Sequence, residues 1–317
     1  MSRKICQILL LLVLPTCLLG QGIFRGSYWK QYRKELVFGI GASNFLGELG
    51  GKDQIGTDFV QDLEIKATRF AVSAGYRYYI RSYLSVRGNL TYAVVSGDDA
   101  LTNEPFRNNR NLHFKSDIIE GVGVAEFHLI EEKQGSRYKI KGTKGSRSSR
   151  VGLFAYGGIG LFYFNPKAQY VDGSWYNLRP LGTEGQGLEG GPDKYSPVSI
   201  AMPLGIGLKY YVNTKMRIGL DVGVRKTFTD YIDDVSGVYF DKTKIAEANG
   251  PEAAYFSDPS LVESLPGTGT IQAAPGNERG DPSDLDSYMF AQLTISYKLF
   301  KQRGFRRIRS RKSVPSF

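Results

Sequence analysis

The chain has 317 residues, a formal net charge of +10, 38 glycines, 13% aromatic residues and a mean hydropathy of −0.27. That hydropathy excludes a polytopic helical membrane protein but not a β-barrel, whose polar inward face dilutes the average. Both cysteines, Cys6 and Cys17, lie near the N-terminus, so the chain beyond them has no disulfide or thiol chemistry.

Ile8 to Leu14 is the one long apolar run, preceded by Arg3 and Lys4. It is too short to span as a helix and reads as a secretory signal over residues 1–20, cleaved after Gly20. Thr16 is a poor residue before a lipid-bearing cysteine, which disfavours a lipoprotein site at Cys17. Residues 21–34 form a basic, aromatic lead-in, with Trp29, Tyr28 and Tyr32 suited to a membrane interface.

From residue 35 the pattern alternates with period two, the signature of strands whose successive side chains leave opposite faces. The first strand spans about Glu35 to Ser43, the second Thr68 to Ile80, the third Leu84 to Val95 and the fourth Leu112 to Ile130. The fifth covers Val151 to Phe164. The clearest alternation is the hairpin from Ser196 to Thr229, turning at Val212 to Lys215. There Val198, Ile200, Met202, Leu204, Ile206 and Leu208 share one face, against Gly205, Gly207 and Lys209 on the other. The last strand runs from Ser287 to Phe300. Strands of about nine to eleven tilted residues are long enough to cross a bilayer.

The expectation is an all-β protein: an eight-stranded antiparallel transmembrane β-barrel over residues 35–300 with long extracellular loops. Segments 46–67, 97–111, 165–195 and 230–285 face outward. Turns 81–83, 131–150 and 212–215, with both termini and the basic tail 301–317, face the periplasm. The 230–285 segment leaves two alternatives open: Val235 to Phe240 extends the seventh strand, or a hidden hairpin raises the count to ten.

The inward face carries Arg69, Arg77, Arg87, Glu120, Glu126, Arg217, Asp221, Arg225 and Lys298. An eight-stranded barrel has room inside for side chains alone. Unpaired buried charge costs several kcal/mol, so these residues are expected to form a plug of salt bridges and not a pore. His113, Ser116 and Asp117 are the one cluster that resembles hydrolase machinery, but adjacent strand residues diverge. The expectation is therefore no catalytic site. Asp230, Asp233 and Asp234, with Glu184, are rich in oxygen but fit no EF-hand spacing; a hydrogen-bonded loop network is expected and no metal or cofactor is assigned.

Positive charge concentrates at the inferred periplasmic end. Lys139, Lys141, Lys144 and Arg147 lie in the 131–150 turn, and Arg303, Arg306, Arg307, Arg309 and Arg311 in the tail. Two readings stay open: contact with anionic lipid head groups, or a docking surface for a periplasmic partner. A nucleic-acid partner is not expected behind a secretory signal.

The stretch Arg110 to Glu120 resembles the signature leading into the fourth strand of the PorG family of Bacteroidota outer-membrane proteins. Phe164-Asn165-Pro166, Thr183 to Gly187 and Thr227 to Ser236 are similar to the same family, over residues 35 to 300. The resemblance implies an OmpA-like eight-stranded barrel acting in type IX protein secretion, with outer-membrane lipid and a periplasmic PorK–PorN ring as partners. The basic turn 131–150 and the tail 301–317 have no counterpart in that resemblance.

Overall fold

The computed structural model describes residues 33–47, 49, 67–102, 104–132, 149–262 and 273–299. The signal, the lead-in up to residue 32, Lys139, Lys141, Lys144, Arg147 and the whole tail with Arg303, Arg306, Arg307, Arg309 and Arg311 lie outside the described residues.

Eight strands form the wall: β1 (Lys34–Leu46), β2 (Arg69–Tyr79), β3 (Leu84–Asp98), β4 (His113–Ile130), β5 (Val151–Gln169), β7 (Val198–Tyr211), β8 (Met216–Thr227) and β9 (Ser287–Leu299). A short strand, β6 (Trp175–Asn177), pairs with the end of β5 as a hairpin above the wall. Each wall strand is antiparallel to its sequence neighbours, β5 pairs directly with β7, and β1 pairs with β9 over Lys34↔Leu299 to Leu46↔Ser287. That last pairing closes the ring and leaves no open edge.

Several strands run further than alternation alone suggested. β1 reaches Leu46, β3 reaches Asp98 and β5 reaches Gln169. Their ends are paired beyond the apolar zone, as in Lys115↔Lys167. The described part of the segment between β8 and β9 holds two helices, α1 (Lys242–Asn249) and α2 (Pro251–Ser257), and one isolated bridge, Val238↔Glu278. Among the described residues it adds no wall strand, so the ten-strand alternative falls. Asp241 caps α1 by accepting from the Thr243 and Lys244 N–H groups, and Pro251 opens α2 where no N–H partner is needed. The β7–β8 turn is fixed by Asn213 Oδ1, which accepts from the Lys215 and Met216 N–H groups at 2.9 Å.

The outer wall is an apolar belt. Ile40, Leu90, Ile159 and Leu293 are each more than 60% exposed. On β4 the outward apolar side chains run from Leu129 to Ile119. That is about 33 Å of strand at ~3.3 Å per residue. Tilted by about 40°, it covers roughly 25 Å of height, the span of the apolar band in outer-membrane barrels. Aromatic side chains mark both borders: Tyr83 against Phe127 at the turn end, and Phe70 against Tyr92 at the loop end.

The lumen is layered. Its loop end is an apolar core of Phe45, Phe114, Ile118, Phe162, Phe164 and Phe290, closed from above by Ile232 and Val235. Its turn end is charged. Gly207 and Gly205 on β7 make room for the rings of Phe154 and Tyr156: a Cβ at Gly207 would sit 2.1 Å from the Phe154 ring, and one at Gly205 2.5 Å from Tyr156.

If lipid covers the belt, an arginine at its middle should be costly and one at its border cheap. Ile159→Arg should lower the unfolding free energy in phosphatidylcholine vesicles by about 2–4 kcal/mol, and Tyr163→Arg by about 0–1 kcal/mol. Urea titration followed by tryptophan fluorescence checks this; equal effects at the two positions would contradict lipid coverage.

Candidate functional site

The turn-end lumen is organised around Glu126. Arg77 Nε and Nη2 donate to its two oxygens at 2.5 and 3.0 Å, and Ser85 Oγ donates at 2.7 Å. Arg87 Nε lies 2.9 Å away, and Lys209 Nζ stands 3.9 Å off. The network spreads from that hub. Arg77 Nη1 reaches Glu35 at 2.9 Å, and Lys298 approaches Glu35 at 3.5 Å. Arg87 Nη2 reaches Asp221 at 2.9 Å, and Tyr156 donates to Asp221 at 2.6 Å. Lys209 donates to Tyr79 at 3.1 Å and lies 4.4 Å above the Phe154 ring. Nearer the loop end, Arg225 lies 3.3 Å from Glu120, which also accepts from Tyr288 at 2.7 Å. At the turn itself Arg217 pairs with Glu132 at 2.7 Å.

Eight of the nine inward charges read from the sequence thus stand in this lumen. Arg69 does not. It is exposed at the loop end of β2 and donates to the Thr68 carbonyl. Parity assigns a residue to a face but not to a height, and Arg69 lies above the buried Ala71. The network also includes residues not singled out from the sequence: Glu35, Lys209 and Glu132. Glu35 and Lys209 were signalled by the same alternation, two residues from Val37 and Gly207.

His128 Nε2 lies 2.8 Å from Ser85 Oγ, and the imidazole stacks on Tyr79. This is a serine–histidine contact without the geometry of a nucleophile. The carboxylate beside it, Glu126, binds the serine and the arginines, and Ser85 is fully buried. His113, Ser116 and Asp117 are not brought together either. His113 Nε2 accepts from the Gln169 N–H at 3.0 Å, Ser116 Oγ accepts from the Asn165 N–H at 3.1 Å, and Asp117 pairs with Lys167 on the outer wall at 2.7 Å.

A second polar cluster caps the loop end. Arg279 Nη1 donates to Glu184 at 2.9 Å and to the Asp234 carbonyl at 2.8 Å. Glu184 accepts from the Ser236 and Gly237 N–H groups at 2.9 and 3.2 Å. Asp234, held at φ +68°, accepts from Tyr195 at 2.5 Å and Thr183 at 2.6 Å. Asp233 accepts from the Val235 N–H at 3.0 Å, and Asp230 is buried close by. Arg110 grips Asp99 with two nitrogens at 2.7 and 3.1 Å and donates to the Arg279 carbonyl at 2.7 Å. Among the described residues no group of three or more acids, histidines or cysteines is arranged to hold a metal ion. Burial pushes the Asp234 carboxyl up to about 6, aided by Glu184 and opposed by Arg279 and the two hydroxyls. Burial likewise raises Asp99 against the pull of Arg110.

The class is that of closed eight-stranded membrane β-barrels with a filled lumen, an assignment that rests on this chain's own strand pairing and belt. No family model matches the chain, and no curated protein matches it. Among solved structures it is similar to Ail, the attachment invasion locus protein of Yersinia pestis, at 8% identity over 85% of this chain and 99% of that one, with a TM-score of 0.37. It is similar to the outer membrane protein OprG from Pseudomonas aeruginosa at 10% identity over 86% and 98%, with a TM-score of 0.36. It is also similar to the outer membrane enzyme PagL at 11% identity over 84% and 99%, with a TM-score of 0.28.

Removing the hub carboxylate takes one of two anions from Arg77 and from Arg87, and the facing carboxylate from Lys209. Glu126→Gln is expected to cost about 3–5 kcal/mol of unfolding free energy, more than Lys298→Gln at the network's margin. Urea midpoints in vesicles check this.

Asp234 should titrate near pH 6, visible as the midpoint of its carboxyl carbon resonance. Its folded value lies above the unfolded one, so its ionisation weakens the cap. Stability should fall as pH rises from about 4 to about 6, and Asp234→Asn should flatten that dependence.

Proposed function

We propose that this protein is an integral outer-membrane barrel that serves as an anchor. In this reading it holds a periplasmic assembly of the type IX secretion apparatus at the outer membrane and has no catalytic or conducting step of its own. The observation that carries the anchoring role is the filled lumen: Glu126 and its cations occupy the turn end, and an aromatic core occupies the loop end. A barrel filled in this way is suited to act through its surfaces. Outer-membrane placement is supported by the roughly 25 Å apolar belt with aromatic borders. The secretion role is supported by the motif resemblance to the PorG family, and the partner surface by the basic residues of the 131–150 turn and the 301–317 tail. PorK- and PorN-like ring proteins are the partners this reading names.

A second reading is favoured by one observation of its own. The cap on the loop side is built as a fixed surface by Arg110 and Arg279, which suits an OmpA-like structural or surface-binding barrel without a secretion role.

Affinity purification from gently solubilised native membranes separates the two. The full chain and one ending at Phe300 are compared, and co-purifying proteins are identified by mass spectrometry. Ring components are expected with the full chain and at lower yield with the shortened one. Equal recovery would move the contact to the turns. Recovery of no secretion component by folded full-length protein would overturn the anchor reading in favour of the surface-binding barrel.

A further inference from the structure

Above the belt on one side of the wall, two lysines face each other. Lys115 of β4 and Lys167 of β5 are directly opposed in the ladder. Both share the outward parity of Ile119 and Tyr163, the register pair that ends the apolar belt there. Like charges at opposed positions destabilise a sheet unless something neutralises them. Asp117 pairs with Lys167 at 2.7 Å and is itself held by Tyr92 at 3.0 Å. Lys115 is exposed, and its ammonium lies 5.7 Å from the Trp175 ring of the β5–β6 hairpin. Among the described residues it makes no ion pair. The patch therefore retains one positive charge, with both ammonium groups still open to solvent on one side.

Its surroundings fix the height at which it stands on the wall. Immediately below are the exposed rings of Tyr163 and Tyr92, and beside it is Trp175, half exposed. Tyrosine and tryptophan concentrate where acyl chains give way to head groups. Lys115 stands four residues beyond Ile119, about 13 Å further along the strand and roughly 10 Å higher after tilt. That is head-group height for any lipid whose chains cover the belt. Lysine binds phosphate as a point charge and needs no fixed fork geometry, so a cross-strand pair can hold one phosphate between its two ammonium groups.

We propose that Lys115 and Lys167, flanked by Trp175 and Tyr163, form a binding site on the outer wall for the phosphate of a membrane-lipid head group. The site selects anionic phospholipids over zwitterionic ones, and Asp117 tunes it by competing for Lys167. The inference rests on the outer-membrane reading above, because the lipid arrives with its chains on the belt.

The test uses the full chain refolded in detergent, offered equal amounts of dioleoyl phosphatidic acid and dioleoyl phosphatidylcholine and examined by native mass spectrometry. The first lipid retained should be phosphatidic acid, by roughly fivefold or more, the scale expected for one lysine near an anionic surface. Lys115→Gln with Lys167→Gln should bring that ratio close to unity, Asp117→Asn should raise it, and Lys226→Gln on β8 should leave it unchanged. A ratio near unity in the unaltered protein, or one that survives loss of both lysines, overturns the site. Flotation of the same preparations with phosphatidylcholine vesicles tests the membrane reading separately. Protein that floats but shows no head-group preference refutes this site alone, whereas protein that does not float refutes the membrane reading and this site with it.

Discussion

Everything in this molecule depends on the pairing of β1 with β9. Backbone amides facing hydrocarbon have no water to bond, so a sheet in a membrane must have no edge. The thirteen-position ladder from Lys34↔Leu299 to Leu46↔Ser287 removes the last edge. Once the ring is closed, each strand has only one inside and one outside, and parity alone decides which side chains meet lipid. Belt and lumen are two consequences of that single constraint.

Closure then sets the problem the lumen has to solve. Six cations (Arg77, Arg87, Lys209, Arg217, Arg225 and Lys298) share the interior with Glu35, Glu120, Glu126, Asp221 and Glu132 of the adjoining turn. Desolvated charges are stable only when each finds opposite charge and hydrogen bonds. Glu126 provides most of this by facing Arg77, Arg87 and Lys209 together, and ring faces of Phe154 and Phe290 take up part of the remaining cationic field. The loop-end half is solved in the opposite way, with an aromatic core resembling that of a soluble protein. Two packing chemistries therefore meet inside one wall, near Tyr288, whose ring joins the apolar cluster while its hydroxyl binds Glu120.

The strands were legible because period two is a local property and each wall strand displays it over many residues. Faces were legible for the same reason: Arg77, Arg87, Glu126 and Arg225 fall inward by counting alone. Height is not legible in this way, so counting groups Arg69 with charges that it does not meet. The far end of β5 is hidden, because Lys167 and Gln169 are polar residues that continue a ladder beyond the apolar zone. The cap was the least legible part. Arg279 lies 95 positions from Glu184, and no spacing rule links them. A partial signal was present all the same. The stretch holding Thr183 and Glu184 and the stretch holding Asp234 to Ser236 both stood out as motifs, and in the fold they bind each other.

The cap also bears on how this surface can evolve. Arg110 and Arg279 tie together segments that are far apart in the chain, so a substitution at Asp99, Glu184 or Asp234 is felt in all of them. Surface loops ordinarily vary one at a time, each free of its neighbours. Here they form one inheritance. A change at one buried position calls for a matching change at its partner, while single replacements cost little at solvent-facing residues such as Lys244 and Glu247 of α1. The loop end of the barrel is thus a mosaic, with a fixed frame around tiles that are free to change.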